Sequence, residues 1–156
     1  MSGPLIRIFP LIILFAGRTV AGAASDSFTG DWTADTAHAP QRPVGLRIAT
    51  LHIEAEGSRL VIVETGTTPD GVTYSLSFNA DCNGRVNGIA DSPQMNAAQC
   101  WRNDPRTVVF KLIRDAAPIE WRTAEVAKNG QTMRISTTVT DSAGKETKSV
   151  AVLLKK

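Results

Sequence analysis

Residues 72–79 read VTYSLSFN, and every second side chain in this run is apolar. In an extended chain the apolar positions, from Val72 to Phe78, fall on one face, and the Thr, Ser and Asn positions fall on the other. Residues 133–140, MRISTTVT, repeat much of this alternation. A period of two indicates strands with one buried face, and no segment shows a convincing helical period. The sequence therefore predicts an all-β domain.

Turn residues separate the other strand candidates. The runs 60–63 and 107–113 are more continuously apolar, which predicts strands buried further on both faces. A shift of phase at Ala49 and Thr50 predicts a β-bulge. Residues typical of hairpin turns lie at Glu56-Gly57, Pro69-Asp70-Gly71, Asn129-Gly130 and Ser142-Ala143-Gly144. We expect about eight strands in an antiparallel up-and-down meander, closed as a barrel or, alternatively, folded as a two-sheet β-sandwich.

The two cysteines, Cys82 and Cys100, bracket most of residues 79–99, which are rich in Asn, Gly and Ala. These residues are predicted to form a long irregular loop, with at most a short helical turn in 91–99. An even pair of cysteines in an oxidising compartment predicts one disulfide, and two free thiols or half of a metal site are the alternatives. Such a bond would stabilise the fold by about 3 kcal/mol, mainly by restricting the unfolded chain.

The first 23 residues have the layout of a secretory signal peptide. Arg7 precedes an apolar run, residues 8–16, and small residues at Ala21 and Ala23 form an A-x-A cleavage site. The apolar run is too short to span a bilayer, which needs about 20 residues. We therefore expect residues 1–23 to be removed and 24–156 to form a single domain, periplasmic or secreted, with no stable membrane insertion after cleavage.

The charge of the chain gives no support for a nucleic-acid partner. The full sequence has 17 basic and 15 acidic residues, a formal net charge of +2. Arg7 and Arg18 both lie in the predicted signal peptide, which contains no acidic residue. The remaining domain is therefore balanced, without the basic surface that nucleic acids or anionic membranes require.

The first residues of the predicted domain carry a recognisable motif. Residues 28–32 read FTGDW, with Gly30 and Trp32 forming a Gly-x-Trp at the opening of the first strand. Further segments of the pattern are GSRLVI at 57–62, DG at 70–71, NGQTMRI at 129–135 and DSAGK at 141–145. The chain resembles lipocalins and, more closely, the small exported lipocalin-like domains of bacteria.

That resemblance implies a fold more than an activity. It implies an up-and-down barrel in which Gly30 and Trp32 are structural, with Trp32 closing the narrow end. In typical lipocalins an Arg near the last strand packs on this Trp, and the final strand expected here, residues 146–154, contains no Arg. Members of this lipocalin-like group mostly lack an assigned activity, so the function must come from the residues.

Catalysis and metal binding have few candidate residues in this chain. His38 lies in a polar, proline-bearing connection, 36–43, where an exposed position is expected. His52, Glu54 and Glu56 share one strand face. These side chains are a candidate metal site, but we expect them to form the alternative, a solvated polar face. The sequence contains no H-E-x-x-H, G-x-S-x-G or P-loop motif. We predict no catalytic residue, no bound metal, no cofactor and no enzymatic activity.

The aromatic residues suggest a binding site instead. Ile119 and Trp121 are two positions apart, which predicts that both side chains lie on the same face of a strand. The first hypothesis is a binding module whose cavity holds a small apolar ligand, lined by Tyr74, Phe78, Phe110 and Trp121; alternatively these residues fill the core. The second is an envelope protein-interaction domain, such as a hydrolase inhibitor, with a filled barrel and a functional loop at 83–99.

Overall fold

The computed structural model describes residues 25–38, 44–90 and 92–156. Within this part of the chain it contains ten strands and a single 3-10 turn, Thr36–His38. The strands are β1 Gly30–Ala34, β2 Arg47–Glu56, β3 Arg59–Thr67, β4 Thr73–Asp81, β5 Asn83–Gly88, β6 Ala97–Asp104, β7 Thr107–Arg114, β8 Ala117–Val126, β9 Thr132–Thr140 and β10 Glu146–Lys155.

All ten strands belong to one antiparallel sheet that curls into a nearly closed barrel. Their order is β4-β3-β2-β1-β10-β9-β8-β7-β6-β5, so all strands consecutive in sequence pair with each other except β4 and β5, and β1 also pairs with β10. The two ends of the sheet, β4 and β5, follow each other directly through Cys82. The prediction of an up-and-down barrel is confirmed, and the two-sheet sandwich is excluded.

One end of the barrel is closed by aromatic side chains. Phe28 and Trp32 are each 1% exposed, and the Trp32 indole Nε1 donates a hydrogen bond of 2.9 Å to the carbonyl oxygen of Phe28. The register places Trp32 opposite Lys155 of β10, whose Nζ lies 5.2 Å from the centre of the indole ring. Residues 146–154 contain no Arg, and Lys155, the next residue, places its cation on the ring of Trp32 instead.

The strand alternation follows the sequence pattern on the inner face of the barrel. In β4 the inward side chains from Tyr74 to Ala80 are buried, and in β9 those of Met133, Ile135 and Thr137 are buried. The predicted bulge is confirmed by a register shift between Ile48 and Thr50. The prediction that 60–63 and 107–113 are buried further on both faces holds only in part. No residue of 107–113 is exposed, whereas Val63 on the outer face of β3 is 37% exposed.

Two further predictions about the strands need correction. Residues 79–99 are not one irregular loop: β4 runs on to Asp81, β5 spans 83–88, β6 begins at Ala97, and the described residues of 91–99 form no helical turn. This additional pairing contributes to a count of ten strands instead of eight.

The disulfide between Cys82 and Cys100 is confirmed, and it ties the β4–β5 junction to β6 across the open seam of the barrel.

The predicted signal peptide, 1–23, and the prolines at 40 and 43 lie outside the described residues. His38 is exposed, as expected, and its Nδ1 lies 2.6 Å from Asp35 Oδ2. Among the residues that the structure describes, no helix has both the length and the apolar character needed to cross a membrane.

Candidate functional site

Four polar side chains meet inside the barrel, and we call them the polar cluster: Glu64, Tyr74, Glu120 and Arg122. They come from β3, β4 and β8, and each is at most 7% exposed. Glu64 shares the inward phase of Leu60 and Ile62, while Glu120 and Arg122 share that of Ala124 and Val126. The barrel wall therefore forces these charges into an interior that is otherwise apolar.

Hydrogen bonds connect the four side chains into one network. The Tyr74 hydroxyl donates to Glu64 Oε1 at 2.6 Å, and Arg122 Nη1 donates to Glu64 Oε2 at 2.7 Å. Arg122 Nε donates to Glu120 Oε1, and the backbone N–H of Leu46 donates to Glu120 Oε2 at 3.1 Å. Every carboxylate oxygen of the cluster therefore accepts a hydrogen bond, as buried charges require.

The network shifts the ionisation of its donors. Burial raises the pKa of the Tyr74 phenol well above its ordinary value of about 10, and the neighbouring Glu64 carboxylate raises it further. Burial by itself would lower the pKa of the Arg122 guanidinium, but Glu120 and Glu64 outweigh this effect and raise the pKa above its usual range. Tyr74 is therefore a neutral hydrogen-bond donor and Arg122 a permanent cation.

One donor of the network has no partner. Arg122 Nη2 is buried and makes no hydrogen bond within the described part of the protein. A buried donor without an acceptor costs roughly 1–3 kcal/mol, so such an atom in a native structure points to a group that completes it. Arg122 lines an interior cavity of about 30 Å³ together with Glu64, and both Phe78 and Phe110 contribute to its walls.

The interior cavity is too small for an organic ligand. Pockets for drug-sized molecules have volumes of about 300–1,000 Å³, whereas one water needs roughly 10–15 Å³ of the same kind of space. A volume of about 30 Å³ therefore has room for one or two waters only. Two of the side chains predicted to line a ligand cavity, Phe78 and Phe110, instead belong to the packed core that nearly fills the barrel.

A larger pocket opens at the end of the barrel opposite Trp32, and we call it the mouth pocket. Its volume is about 410 Å³, and Glu120 forms part of its lining. Since Glu120 lines the mouth pocket and Arg122 lines the interior cavity, the polar cluster lies between the two. The remaining lining residues are Gly45, Leu46, Thr68, Pro69, Asp70, Gln94, Arg114, Ile119 and Val139.

The rim of the mouth pocket is fastened by side-chain hydrogen bonds between two connections. Asn96 Nδ2 donates to Asp115 Oδ1 at 3.1 Å, and the Asp115 backbone N–H donates to Asn96 Oδ1 at 3.2 Å. Arg114 Nε donates to the Gln94 carbonyl oxygen at 2.9 Å. The β5–β6 connection is thus tied to the β7–β8 turn, which holds this side of the pocket in place.

The structure separates the four aromatic residues predicted to line a ligand cavity. Phe78 and Phe110 face the interior, and Tyr74 belongs to the polar cluster. The prediction that Trp121 faces the interior is wrong: it is 41% exposed on the outer surface, stacked on Trp101 with ring centres 5.9 Å apart. Strand β8 turns Glu120 and Arg122 inward, so its aromatic residue must point outward.

The histidine face is on the outside of the barrel. His52 Nδ1 lies 2.7 Å from Asp31 Oδ1, and Nε2 lies 3.4 Å from Glu54 Oε1. The hydrogen bond to Asp31 raises the pKa of His52, and Glu54 adds to this effect. In residues 25–38, 44–90 and 92–156, no three His, Cys, Asp or Glu side chains come together as a metal site.

Sequence reasoning missed the polar cluster because the apolar pattern of β8 was assigned the wrong phase. Ile119 and Trp121 suggested an inward face, whereas Ala124 and Val126 carry the phase that is actually buried. A signal was present: Arg122 shares the phase of Ala124 and Val126. The feature that could have revealed the site was a charged side chain on the strand face that carries the buried apolar residues.

Comparison with known proteins supports the fold. No protein-family model and no curated protein sequence matches the chain. A crystal structure of zebrafish ileal bile acid-binding protein, complexed with cholic acid, superposes with a TM-score of 0.52 at 12% identity, covering 83% of this chain and 99% of that one. This likeness identifies the shared barrel architecture.

Lobster apocrustacyanin A1 gives a TM-score of 0.43 at 9% identity over 85% of this chain, and apocrustacyanin C1 gives 0.44 at 9% identity over 84%. The matches cover 63% and 62% of those two chains, which is less than two thirds of their length.

Proposed function

We propose that this protein is an exported barrel that binds a small molecule in the mouth pocket, above the polar cluster. The observation that carries the proposal is the combination of a ligand-sized pocket of about 410 Å³ with a buried, charged floor. Functional pockets typically join apolar walls to a few fixed polar groups. Here Leu46, Ile119 and Val139 supply the walls, and Glu120 supplies a polar group held in place by its hydrogen bonds.

This proposal moves the ligand from the barrel interior to its open end. The interior cavity of about 30 Å³ cannot take an apolar molecule without displacing side chains such as Phe78 and Phe110. The mouth pocket needs no such rearrangement, because its rim is already held by the bonds of Asn96 and Arg114. The bile acid-binding neighbour shares this architecture with a bound small molecule, which is compatible with the proposal.

A ligand screen with a blocked variant tests the proposal. Leu46→Trp would fill the mouth pocket, while Leu154→Trp adds the same side chain on β10 at a position that is 45% exposed. Native mass spectrometry against a small-molecule library is expected to find compounds retained by the natural protein and by Leu154→Trp, and lost by Leu46→Trp. Compounds that Leu46→Trp retains as well as the natural protein does, or a library without a single binder, would contradict the proposal.

Export is supported by the arrangement of residues 1–23 and by the Cys82–Cys100 disulfide, since disulfides persist in oxidising compartments. N-terminal sequencing of the protein recovered from the periplasm or medium of an expressing bacterium is expected to begin at residue 24. A chain that remains in the cytoplasm with its first 23 residues would refute export.

A nearly filled barrel also favours a second function, an envelope protein-interaction domain such as a hydrolase inhibitor. The segment 83–99 would carry it, because the disulfide anchors this segment and Val86 is 60% exposed there. The two functions separate by mutation. Val86→Asp would weaken binding to a protein partner and leave a mouth ligand unaffected, and Leu46→Trp would do the reverse.

A further inference from the structure

We propose that the interior cavity is a binding site for ordered water, in which a water molecule accepts a hydrogen bond from Arg122 Nη2. This site is separate from the mouth pocket, so the proposal does not depend on a mouth ligand. It follows from the donor at the cavity wall, the charges beside it and the size of the cavity.

The donor belongs to a residue of the cavity wall. Arg122 and Glu64 both line the interior cavity, whereas Glu120 lines the mouth pocket. Arg122 Nε donates to Glu120 and Nη1 donates to Glu64, which leaves Nη2 buried and without an acceptor among the described residues. A buried donor without an acceptor is costly. An acceptor in the cavity that Arg122 lines would remove this cost.

The charges beside the cavity favour a neutral acceptor over an anion. Arg122 is already paired with two carboxylates, Glu64 and Glu120, and all three side chains are at least nine-tenths buried. An anion in the cavity would lie beside the Glu64 carboxylate and would also have to give up its own hydration. A neutral oxygen can accept from Nη2 without either penalty.

The size of the cavity restricts that neutral acceptor to water. The volume is about 30 Å³, and one water needs roughly 10–15 Å³. A buried water also needs at least two polar partners. Glu64 provides the second one, because its Oε1 accepts from Tyr74, its Oε2 accepts from Arg122 Nη1, and each oxygen keeps a further lone pair. A water that accepts from Arg122 and donates to Glu64 is therefore satisfied.

The remaining walls hold the water at the polar cluster. Ile62, Phe78 and Met133 line the cavity with apolar groups, so they offer the water no competing hydrogen bond. Because Arg122 Nε donates to Glu120, a water fixed on Arg122 also supports the carboxylate that lines the mouth pocket.

A high-resolution crystal structure of the natural protein, from crystals grown in bromide salts, tests the identity of the bound species. We expect a peak of the height of an oxygen atom in the interior cavity, about 2.7–3.2 Å from Arg122 Nη2, with no anomalous signal. An anomalous peak there would identify an anion, and a cavity without density would be dry. Either result would overturn the proposal.

Oxygen-17 relaxation dispersion counts long-lived waters in solution, and protons that exchange at Tyr74 and Arg122 do not contribute to it. Ala124→Val adds methyl groups to a residue that lines the cavity, and Ala117→Val adds them at an exposed position of the same strand. We expect Ala124→Val to lose at least one long-lived water and Ala117→Val to lose none. An unchanged count in Ala124→Val would contradict the proposal, and if this variant does not fold, the crystal structure of the natural protein decides.

Discussion

Arg122 shows how single residues define this molecule. Its guanidinium bridges Glu64 of β3 and Glu120 of β8, which face each other across the barrel. A hydrophobic side chain there would leave two carboxylates close together without a cation. The network therefore depends on this one residue more than on any of its partners.

Replacing Arg122 by Met tests that dependence. Arg122→Met should lower the free energy of unfolding by about 3–5 kcal/mol, because it strands two buried carboxylates. Arg134→Met is the matched control: Arg134 is exposed and lies 3.8 Å from Glu125, a surface pair worth at most about 1 kcal/mol. Urea unfolding at neutral pH measures both variants. Equal losses in the two would contradict the structure of the cluster.

Tyr74 is the only tyrosine in the chain, so its ionisation can be followed directly. Burial and Glu64 raise its pKa in the folded protein, whereas in the unfolded chain it titrates near about 10. Tyr74 therefore stabilises the fold fully below about pH 10, and this contribution declines as the pH rises further, by up to about 1.4 kcal/mol per pH unit.

Absorbance of the phenolate measures this shift. The native protein is expected to show no phenolate until it unfolds, while the protein in denaturant titrates with an ordinary midpoint. A native midpoint near that of the denatured protein would mean that Tyr74 is not held against Glu64.

At the scale of the strands, β2 and β3 approach closely beside the polar cluster. Gly66 of β3 pairs with Ile48 of β2, and a Cβ at Gly66 would clash with the Arg47 carbonyl oxygen and lie 2.9 Å from the Tyr74 hydroxyl. The glycine is therefore needed to bring the two backbones together and to leave room for Tyr74.

Gly66→Ala should destabilise the protein by about 1–3 kcal/mol, since the strand pair must open to accept the methyl group. Gly88→Ala in β5 is the control, because nothing lies within 4 Å of its added Cβ. Thermal unfolding of the two variants compares them. If the Gly66→Ala variant unfolds at the same temperature as the Gly88→Ala variant, the result would contradict the close approach of β2 and β3.

The disulfide acts on the seam where the sheet does not close. Cys82→Ala combined with Cys100→Ala should cost about 3 kcal/mol, because the bond closes a loop with a sequence separation of 18. Hydrogen exchange should accelerate first in β5, which pairs with β6 alone. Unchanged stability and unchanged exchange in β5 would show that the bond does not hold the seam.

At the scale of the whole molecule, the sequence predicted the architecture well because alternation and turn chemistry are local signals. Residues 72–79 and the Gly-containing turns were sufficient for an antiparallel up-and-down meander. They left a barrel and a two-sheet sandwich equally open, and the resemblance of residues 28–32 to the lipocalin motif favoured the barrel. Strand β5, residues 83–88, was missed because NGRVNG has no apolar alternation and its Val86 points to solvent. Its pairing rests on the backbone of β6, which a pattern of side chains does not reveal.

The site was harder to predict than the fold because it depends on contacts between distant strands. Glu64 and Arg122 are 58 residues apart in sequence and meet only when the barrel closes. The mouth pocket is assembled from the connections at one end of the barrel, so its shape follows from the full register of ten strands. Tyr74 was predicted to form part of an apolar wall, because its hydrogen-bond partner Glu64 had not been identified.

The location of a bound ligand is the central claim, and chemical-shift mapping tests it most directly. A binder from the library screen would be titrated into the isotope-labelled protein, and the backbone amide shifts followed by NMR. Binding in the mouth pocket predicts shift changes concentrated at Leu46, Gln94, Ile119 and Val139, which line it. Changes concentrated instead in 83–88, with the mouth residues unaffected, would contradict the account and place the binding surface on the disulfide-anchored segment.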